Sequence, residues 1–155
     1  METMPKREAV QGAIESYFAA NEDQNVDRLA ELIAQNVSAD YPSECLQGRE
    51  AYIEHMKGTY ALTNLLIHSY TVRPILIVID GAVAIAKWRC EIVIKYLCIR
   101  NSFEGYNEFT LDAEARIERV ATKSIKKNLS RVTMTLLAWL WRFMRPRFVA
   151  KVAGQ

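Results

Sequence analysis

The sequence predicts an α+β fold in which helices come first and a sheet follows. Two patterns along the 155 residues support this prediction. Up to about Tyr60, apolar residues recur every three or four positions, as they do on one face of a helix. From Leu65 onwards the chain is rich in β-branched residues and alternates as strands do. We therefore expect three N-terminal helices packed on one face of a curved, mixed or antiparallel sheet.

Three apolar stripes at helical spacing define the predicted helices. The first stripe consists of Val10, Ala13, Ile14, Tyr17 and Phe18. Asn25 is placed to cap a second helix that ends with Leu32 and Ile33, because its side chain can accept a bond from the first turn. Gly48 opens a third helix, whose predicted stripe contains Ile53, Met56 and Tyr60.

Turn-forming residues separate the predicted strands. A short strand from Val37 to Tyr41 ends at a proline, and Pro74 predicts a bulge inside the next strand. Asp80-Gly81 between two β-branched runs predicts a hairpin, and a second hairpin is expected around 112–114. Between these turns one strand places small and large apolar residues on a single face, namely Ala84, Ala86, Trp88, Cys90, Ile92 and Ile94.

The C-terminal region differs in charge from the rest of the chain. Residues 1–118 carry all 18 acidic residues against 11 basic ones, a balance of −7, whereas residues 119–155 carry nine basic residues and no acidic one. Apolar residues from Ser124 to Met144 recur at helical spacing and include two tryptophans. We predict a domain over residues 1–123 and a basic amphipathic helix within residues 124–155.

The composition and the missing motifs exclude several classes of protein. Neither the two histidines, His55 and His68, nor the three cysteines have metal-ligand spacing, and we find no phosphate-binding or dinucleotide-binding glycine motif. Cys90 and Cys98 lie in apolar runs, which favours buried free thiols in a reducing compartment. The N-terminus lacks a secretory apolar region, so a cytoplasmic protein is expected. An excess of basic over acidic residues is confined to the tail, which argues against nucleic-acid binding.

Residues Val10–Tyr60 resemble the nuclear transport factor 2-like superfamily, especially its ketosteroid isomerase and SnoaL-type polyketide cyclase branches. The resemblance rests on Tyr17-Phe18, Asn25-Val26-Asp27, Leu32-Ile33-Ala34 and Gly48-Arg49-Glu50 at nearly gapless spacing. It implies a cone of three helices and a curved sheet around an apolar cavity. It further implies activity without a cofactor and a homodimer formed through the outer face of the sheet.

The resemblance also places candidate catalytic residues. Tyr17 matches the tyrosine that ketosteroid isomerases use to hydrogen-bond a developing enolate oxygen. Tyr41 stands where those enzymes carry their basic aspartate, before the proline, and Asp40 is one residue earlier on the opposite strand face. The aspartate of SnoaL-type cyclases has no counterpart, because no carboxylate follows Glu118. The chain therefore departs from the family at both acid–base positions.

These departures favour a reaction that needs little acid–base assistance. We predict a cofactor-independent isomerase, cyclase or lyase that holds an apolar polycyclic molecule, such as a terpenoid or polyketide, in a reactive conformation. Tyr17 and Tyr41 are the predicted catalytic hydrogen-bond donors. The predicted substrate-binding residues are Trp88, Asn107, His68 and Tyr60. Each of the six has a structural alternative as a packed or hydrogen-bonded residue without a catalytic role.

The predicted tail leaves two further alternatives open. A basic, tryptophan-containing amphipathic helix over residues 124–149 has the composition of an anchor for anionic membrane surfaces, which would make the protein a tethered carrier or adaptor. Alternatively, its apolar stripe packs over the cone mouth or a second subunit, and its basic residues face the acidic body. A third possibility for the whole chain is a dimerisation module with a filled cavity.

Overall fold

The structure is a computed structural model that describes residues 5–42, 44–95 and 99–128. Helices α1 (Arg7–Glu22), α2 (Val26–Leu32) and α3 (Arg49–Leu66) belong to the first half of the chain. The strands are β1 (Ile33–Tyr41), β2 (Glu44–Gln47), β3 (Ile67–Asp80), β4 (Val83–Ile94), β5 (Arg100–Leu111) and β6 (Ile117–Asn128). This arrangement confirms the predicted α+β fold with three helices ahead of the main strands.

The predicted helix starts are confirmed by their local geometry. The Asn25 side chain accepts a 3.0 Å hydrogen bond from the backbone N–H of Arg28, which satisfies a donor at the start of α2. Gly48 precedes α3 with a φ of 86°, a left-handed backbone angle that favours glycine. Arg49 then donates from Nη2 to the carbonyl oxygen of Ile33 over 2.7 Å, which ties the first turn of α3 to β1.

The six strands form one mixed sheet in the order β2-β1-β6-β5-β4-β3. Only the β1–β6 pair is parallel among these neighbours, and the other pairs are antiparallel. The predicted bulge at Pro74 is confirmed by a register shift between Pro74 and Leu76. Both predicted hairpins are present, with Gly81 at positive φ in the first and Ala115 in the second.

The inner face of the sheet and the apolar faces of the helices form the core. On β4 the predicted face is confirmed: Ala84, Ala86, Cys90, Ile92 and Ile94 are buried, and Trp88 is partly buried. The opposite face of the same strands carries charged and exposed apolar residues. The sheet thus separates a closed interior from an outer surface.

Two local predictions were wrong, and one short strand was not predicted. Ile33, predicted as the last turn of the second helix, begins β1, and β2 is a four-residue strand that the sequence did not reveal. Residues 124–128, predicted as the start of a helix, continue β6, with Asn128 opposite Ser102. The strand persists because each of its residues extends the ladder with β5. The rest of the predicted C-terminal helix and Cys98 lie outside the described residues.

Within the described part of the chain, no helix combines the length and the apolar character needed to cross a membrane.

Candidate functional site

Two phenols meet inside the protein. The hydroxyl oxygens of Tyr17, on α1, and Tyr52, on α3, lie 2.8 Å apart, and both side chains are buried. The Tyr17 ring packs edge-on against Phe109 of β5, with a centroid distance of 5.1 Å, and against Phe18 at 5.5 Å. Edge-on aromatic contacts on two sides fix the ring, so the direction of the Tyr17 hydroxyl is set by packing.

Asn21 makes two hydrogen bonds, one within α1 and one that joins α1 to α3. Asn21 donates from Nδ2 to the carbonyl oxygen of Tyr17 over 2.8 Å and accepts a 2.8 Å bond from the hydroxyl of Tyr60. Tyr60 follows Tyr52 by eight residues, so both phenols leave the same face of α3. Asn21 and Tyr60 are therefore mutually satisfied, and their bonds position α3 against the turn that carries Tyr17.

Tyr41 approaches the phenol pair from the end of β1. Its hydroxyl lies 4.0 Å from the sulfur of Met56 and is close enough to Tyr17 and Tyr52 to affect the pKa of each. The ring of Tyr41 stacks on the imidazole of His55 with a centroid distance of 5.2 Å. His55 Nδ1 in turn lies 3.4 Å from a carboxylate oxygen of Glu44 on β2. The stack restricts the orientation of the Tyr41 ring.

Burial keeps these phenols protonated. Desolvation raises the pKa of Tyr17 to about 12, although the bond to Tyr52 opposes the shift. Desolvation likewise raises the pKa values of Tyr52, Tyr41 and Tyr60 well above that of a free phenol. At neutral pH the cluster is a set of neutral hydrogen-bond donors, and none of its members is a base.

The sheet supplies the facing wall. Trp88 Nε1 and Thr122 Oγ1 both donate to Oδ1 of Asn107, over 3.0 Å and 3.1 Å. Two donors on one oxygen fix the orientation of the amide, because that atom must be the carbonyl oxygen. No described residue accepts a bond from Nδ2 of Asn107, so this N–H₂ group remains a donor on a buried strand face.

The structure brings five of the six predicted site residues to the interior and leaves one out. Tyr17 and Tyr41 join one phenol cluster, Tyr60 braces it, and Trp88 and Asn107 contact each other on the sheet. His68 lies on β3 at a register shift next to Ile67, and its side chain is exposed. The fold therefore gives His68 no contact with the other five.

Tyr52 is the site residue that sequence reasoning missed. The predicted stripe of the third helix began with Ile53, whereas the buried positions are Tyr52, Met56 and Tyr60. Their spacing of four and eight residues was visible in the sequence and fits a buried face equally well. The hydroxyl groups of Tyr52 and Tyr60, at the two ends of that face, were the signal for a polar site.

Charged groups lie away from this interior. The buried polar or charged residues of the described chain are three amides: Asn21, Asn101 and Asn107. No group of three or more potential metal ligands occurs among the described residues. The arrangement can donate hydrogen bonds to an oxygen in an apolar enclosure, and it offers no buried carboxylate for proton abstraction in the part of the chain that the structure describes.

The sequence profile of the SnoaL-like domain matches residues 14–135. The chain belongs to the SnoaL-like family. This assignment agrees with the resemblance found in the first 60 residues and extends it through β6.

Solved structures support the same fold at low sequence identity. SalBIII, an epoxide hydrolase/cyclase-like enzyme of pyran ring formation in the polyether salinomycin, is 17% identical, with a TM-score of 0.65 over 79% of this chain and 98% of that one. An LEH-like epoxide hydrolase of M. tuberculosis is 16% identical, with a TM-score of 0.62 over 76% of this chain and 79% of that one.

A third similar structure, from Xanthomonas campestris pv. campestris, carries the name of a polyketide cyclase; it is 18% identical, with a TM-score of 0.63 over 75% of this chain and 90% of that one. Among curated protein sequences, none matches this chain significantly. The comparisons therefore establish the family and the fold, and the reaction has to be argued from the site.

Proposed function

We propose that this SnoaL-like protein is a cofactor-independent isomerase, cyclase or lyase that acts on an apolar polycyclic molecule of terpenoid or polyketide type. The observation that carries the proposal is the buried Tyr17–Tyr52 phenol pair, with Tyr41 beside it. Three neutral phenols at the junction of two helices and a strand are a costly arrangement for a core that has only to be stable. Donors aimed into an apolar enclosure are suited to a ligand oxygen.

The phenol pair has one hydroxyl hydrogen available for a ligand. Each phenol has one hydrogen, and one of the two hydrogens is used in the bond between Tyr17 and Tyr52. The other is free to be donated to a carbonyl, ether or epoxide oxygen of the substrate. As negative charge develops on that oxygen, the bond strengthens, and it strengthens more in a dry site than in water. Because the pKa of Tyr17 is raised to about 12, the proton stays largely on the phenol.

The proposed reaction is a ring closure or rearrangement of a prearranged conformer. Shape would do much of the work: Ala84 and Ala86 are small residues of the inner sheet face, and Trp88 would limit the site on the same strand. Asn107 would donate to a second position on the substrate from the sheet side. Polyketide cyclase, cyclase-like and epoxide hydrolase names among the similar folds support this class of chemistry by analogy only.

Native mass spectrometry of protein purified from its own host tests the proposal. We expect a co-purifying apolar metabolite of low mass that is released on denaturation. Tyr17→Phe should reduce its occupancy, because the donor is lost while the ring remains, and Tyr106→Phe should not, because Tyr106 is exposed on the outer face. A protein that is empty in every preparation, and that does not bind polycyclic ketones when they are added, would contradict the proposed function.

A second candidate is a carrier of apolar ligands, or an adaptor, held at a membrane surface by the C-terminal segment. The observation that favours it is the excess of basic residues after residue 118, with no acidic residue there. Flotation with anionic liposomes should separate the candidates when the full chain is compared with a chain ending at Asn128. Tail-dependent, salt-sensitive binding would favour the adaptor, and equal behaviour of the two chains would exclude a tether.

We also propose a homodimer that forms through the outer sheet face. Leu76, Val78 and Ile85 are roughly half exposed there, and Val78 lies directly opposite Ile85 on the neighbouring strand. Contiguous exposed apolar side chains of this kind mark association surfaces. Light scattering should give a dimer for the wild type and a monomer for Val78→Asp, with Ser102→Asp, opposite Glu91 at the other end of the same face, as the control.

A further inference from the structure

A third buried amide lies on the inner face, apart from the phenol pair. Asn101 stands at the start of β5, directly opposite Ile92 of β4, and Ile92 is in turn opposite Tyr70 of β3. Residues directly opposite in an antiparallel pair point to the same side of the sheet, so all three share the inner face. With strands roughly 4.8 Å apart, the backbones of Tyr70 and Asn101 are about 10 Å apart across this row.

Among the residues that the structure describes, none accepts a hydrogen bond from the amide nitrogen of Asn101. The residue is only 3% exposed, and its Nδ2 atom is buried without an acceptor. Buried polar groups are almost always hydrogen-bonded, since leaving one unpaired costs more than replacing it with an apolar side chain of similar size. A donor of this kind on the interior face needs an acceptor that the described part of the chain does not supply.

The surroundings of Asn101 define the chemistry of that acceptor. The neighbouring row contains Cys90 and Phe103, and burial raises the pKa of the Cys90 thiol to about 12, so it is neutral. Burial also raises the pKa of Tyr70, for whose hydroxyl no described residue provides a hydrogen bond. Neutral donors beside apolar side chains suit an acceptor oxygen of a ligand.

This row belongs to the same interior as the phenol pair. Both Tyr60 and Tyr17 are close enough to Tyr70 to contribute to its raised pKa. We propose that Asn101, with Tyr70 across the row, forms a second polar subsite that binds a carbonyl or ether oxygen at the far end of the ligand held by Tyr17 and Tyr52. The inference rests on the proposed function and narrows its substrate class to polycyclic molecules with acceptor oxygens at both ends.

A matched pair of probes tests the subsite. 5α-Androstan-3-one has one ketone oxygen, and 5α-androstane-3,17-dione has a second one at the opposite end of the same tetracyclic skeleton. Binding is followed by the fluorescence of Trp88 in a full chain carrying Trp139→Phe and Trp141→Phe, which leaves one tryptophan. We expect the diketone to bind about five- to tenfold more tightly than the monoketone, the contribution of one added hydrogen bond.

Variants of Asn101 separate binding from stability. Asn101→Leu should abolish the preference for the diketone, leave monoketone affinity unchanged and raise the melting temperature, because the unpaired amide is gone. Asn101→Ala should lose the preference in the same way without the added apolar volume. Asn36→Leu, the same change at an exposed position of β1, should leave the preference intact.

The outcomes distinguish the two proposals. Equal affinities of the wild type for both probes, or a preference that survives in Asn101→Leu and Asn101→Ala, would overturn the subsite and leave the phenol site standing. Failure of the wild type to bind either probe would overturn the apolar ligand pocket itself, and the subsite with it.

Discussion

The two faces of the sheet use polar residues in opposite ways. On the outer face, charges alternate from strand to strand: Asp40 of β1 pairs with Arg119 of β6, and Glu104 of β5 pairs with Lys87 and Arg89 of β4. On the inner face the polar groups are phenols and amides, few in number and individually placed. The charged side chains of the outer face pair with each other in water. On the inner face, some hydrogen-bond donors have an acceptor, and Nδ2 of Asn101 has none among the described residues. The comparison is consistent with the proposed ligand site on the inner face and the proposed dimer contact on the outer one.

The largest expected difference between the faces concerns packing. Phe109→Ala removes a fully buried ring that contacts both Tyr17 and Phe18, and we expect a loss of about 3–5 kcal/mol in the free energy of unfolding. Val78→Ala on the outer face should cost less than about 0.5 kcal/mol when measured on the monomer. Urea unfolding of both variants checks this, and similar losses would mean that the outer apolar patch is buried in solution.

Alkaline pH should weaken the inner cluster next. Tyr17 has a folded pKa of about 12 against an ordinary value of 10.0, so the unfolded chain releases its proton first as the pH rises. Stability from this group is therefore complete below pH 10 and is lost as the pH rises toward 12. Two pKa units correspond to about 2–3 kcal/mol. Unfolding between pH 8 and pH 11 should be less pH-dependent in Tyr17→Phe than in wild type, and identical slopes would contradict the assigned burial.

Removal of one member of the phenol pair should have a smaller effect. Tyr52→Phe leaves the hydroxyl of Tyr17 without its 2.8 Å partner, and we expect a loss of about 1–2 kcal/mol. Tyr106→Phe is the matched control, since Tyr106 is among the exposed residues of the outer face. Thermal unfolding of the two variants provides the comparison. A Tyr52→Phe protein as stable as the control would mean that Tyr17 has another acceptor.

The outer charges should matter least. Glu104→Gln removes the acid that pairs with both Lys87 and Arg89, yet all three groups are open to solvent and screened by salt. We expect a urea midpoint indistinguishable from that of wild type at physiological ionic strength. A clear drop would show that this ladder of charges is buried against a second subunit.

The sequence predicted those features that depend on neighbouring residues. Asn25 as a helix cap, Gly48 before α3, the bulge at Pro74 and the Asp80-Gly81 turn all follow from local backbone chemistry, and each is present. Tyr17 was found because its helix matches a family pattern. These local signals were enough to predict most of the helices and strands.

Long-range contacts account for what the sequence missed. Tyr52 joins the site because α1 places the hydroxyl oxygen of Tyr17 2.8 Å from its own. The residues next to Tyr52 in the sequence do not predict that contact. The four residues of β2 are too few for alternation to be recognised, and β1 extends back to Ile33 because β6 lies alongside it. Residues 124–128 have helical periodicity, yet pairing with β5 overrides it.

The pairing of β1 with β6 has a consequence for how the protein is made. Ile33 of β1 lies opposite Ile117 of β6, so this pair joins strands that are far apart in the sequence. The β3–β4 and β4–β5 hairpins can form as soon as they leave the ribosome, but β1 has to wait for the last strand before its inner ladder closes. Until then β1 has β2 as its strand neighbour and lacks its partner on the other side. The sheet that supports the phenol cluster is therefore completed late in synthesis, and a nascent chain that stops before residue 117 would carry α1 and its tyrosine without a finished sheet.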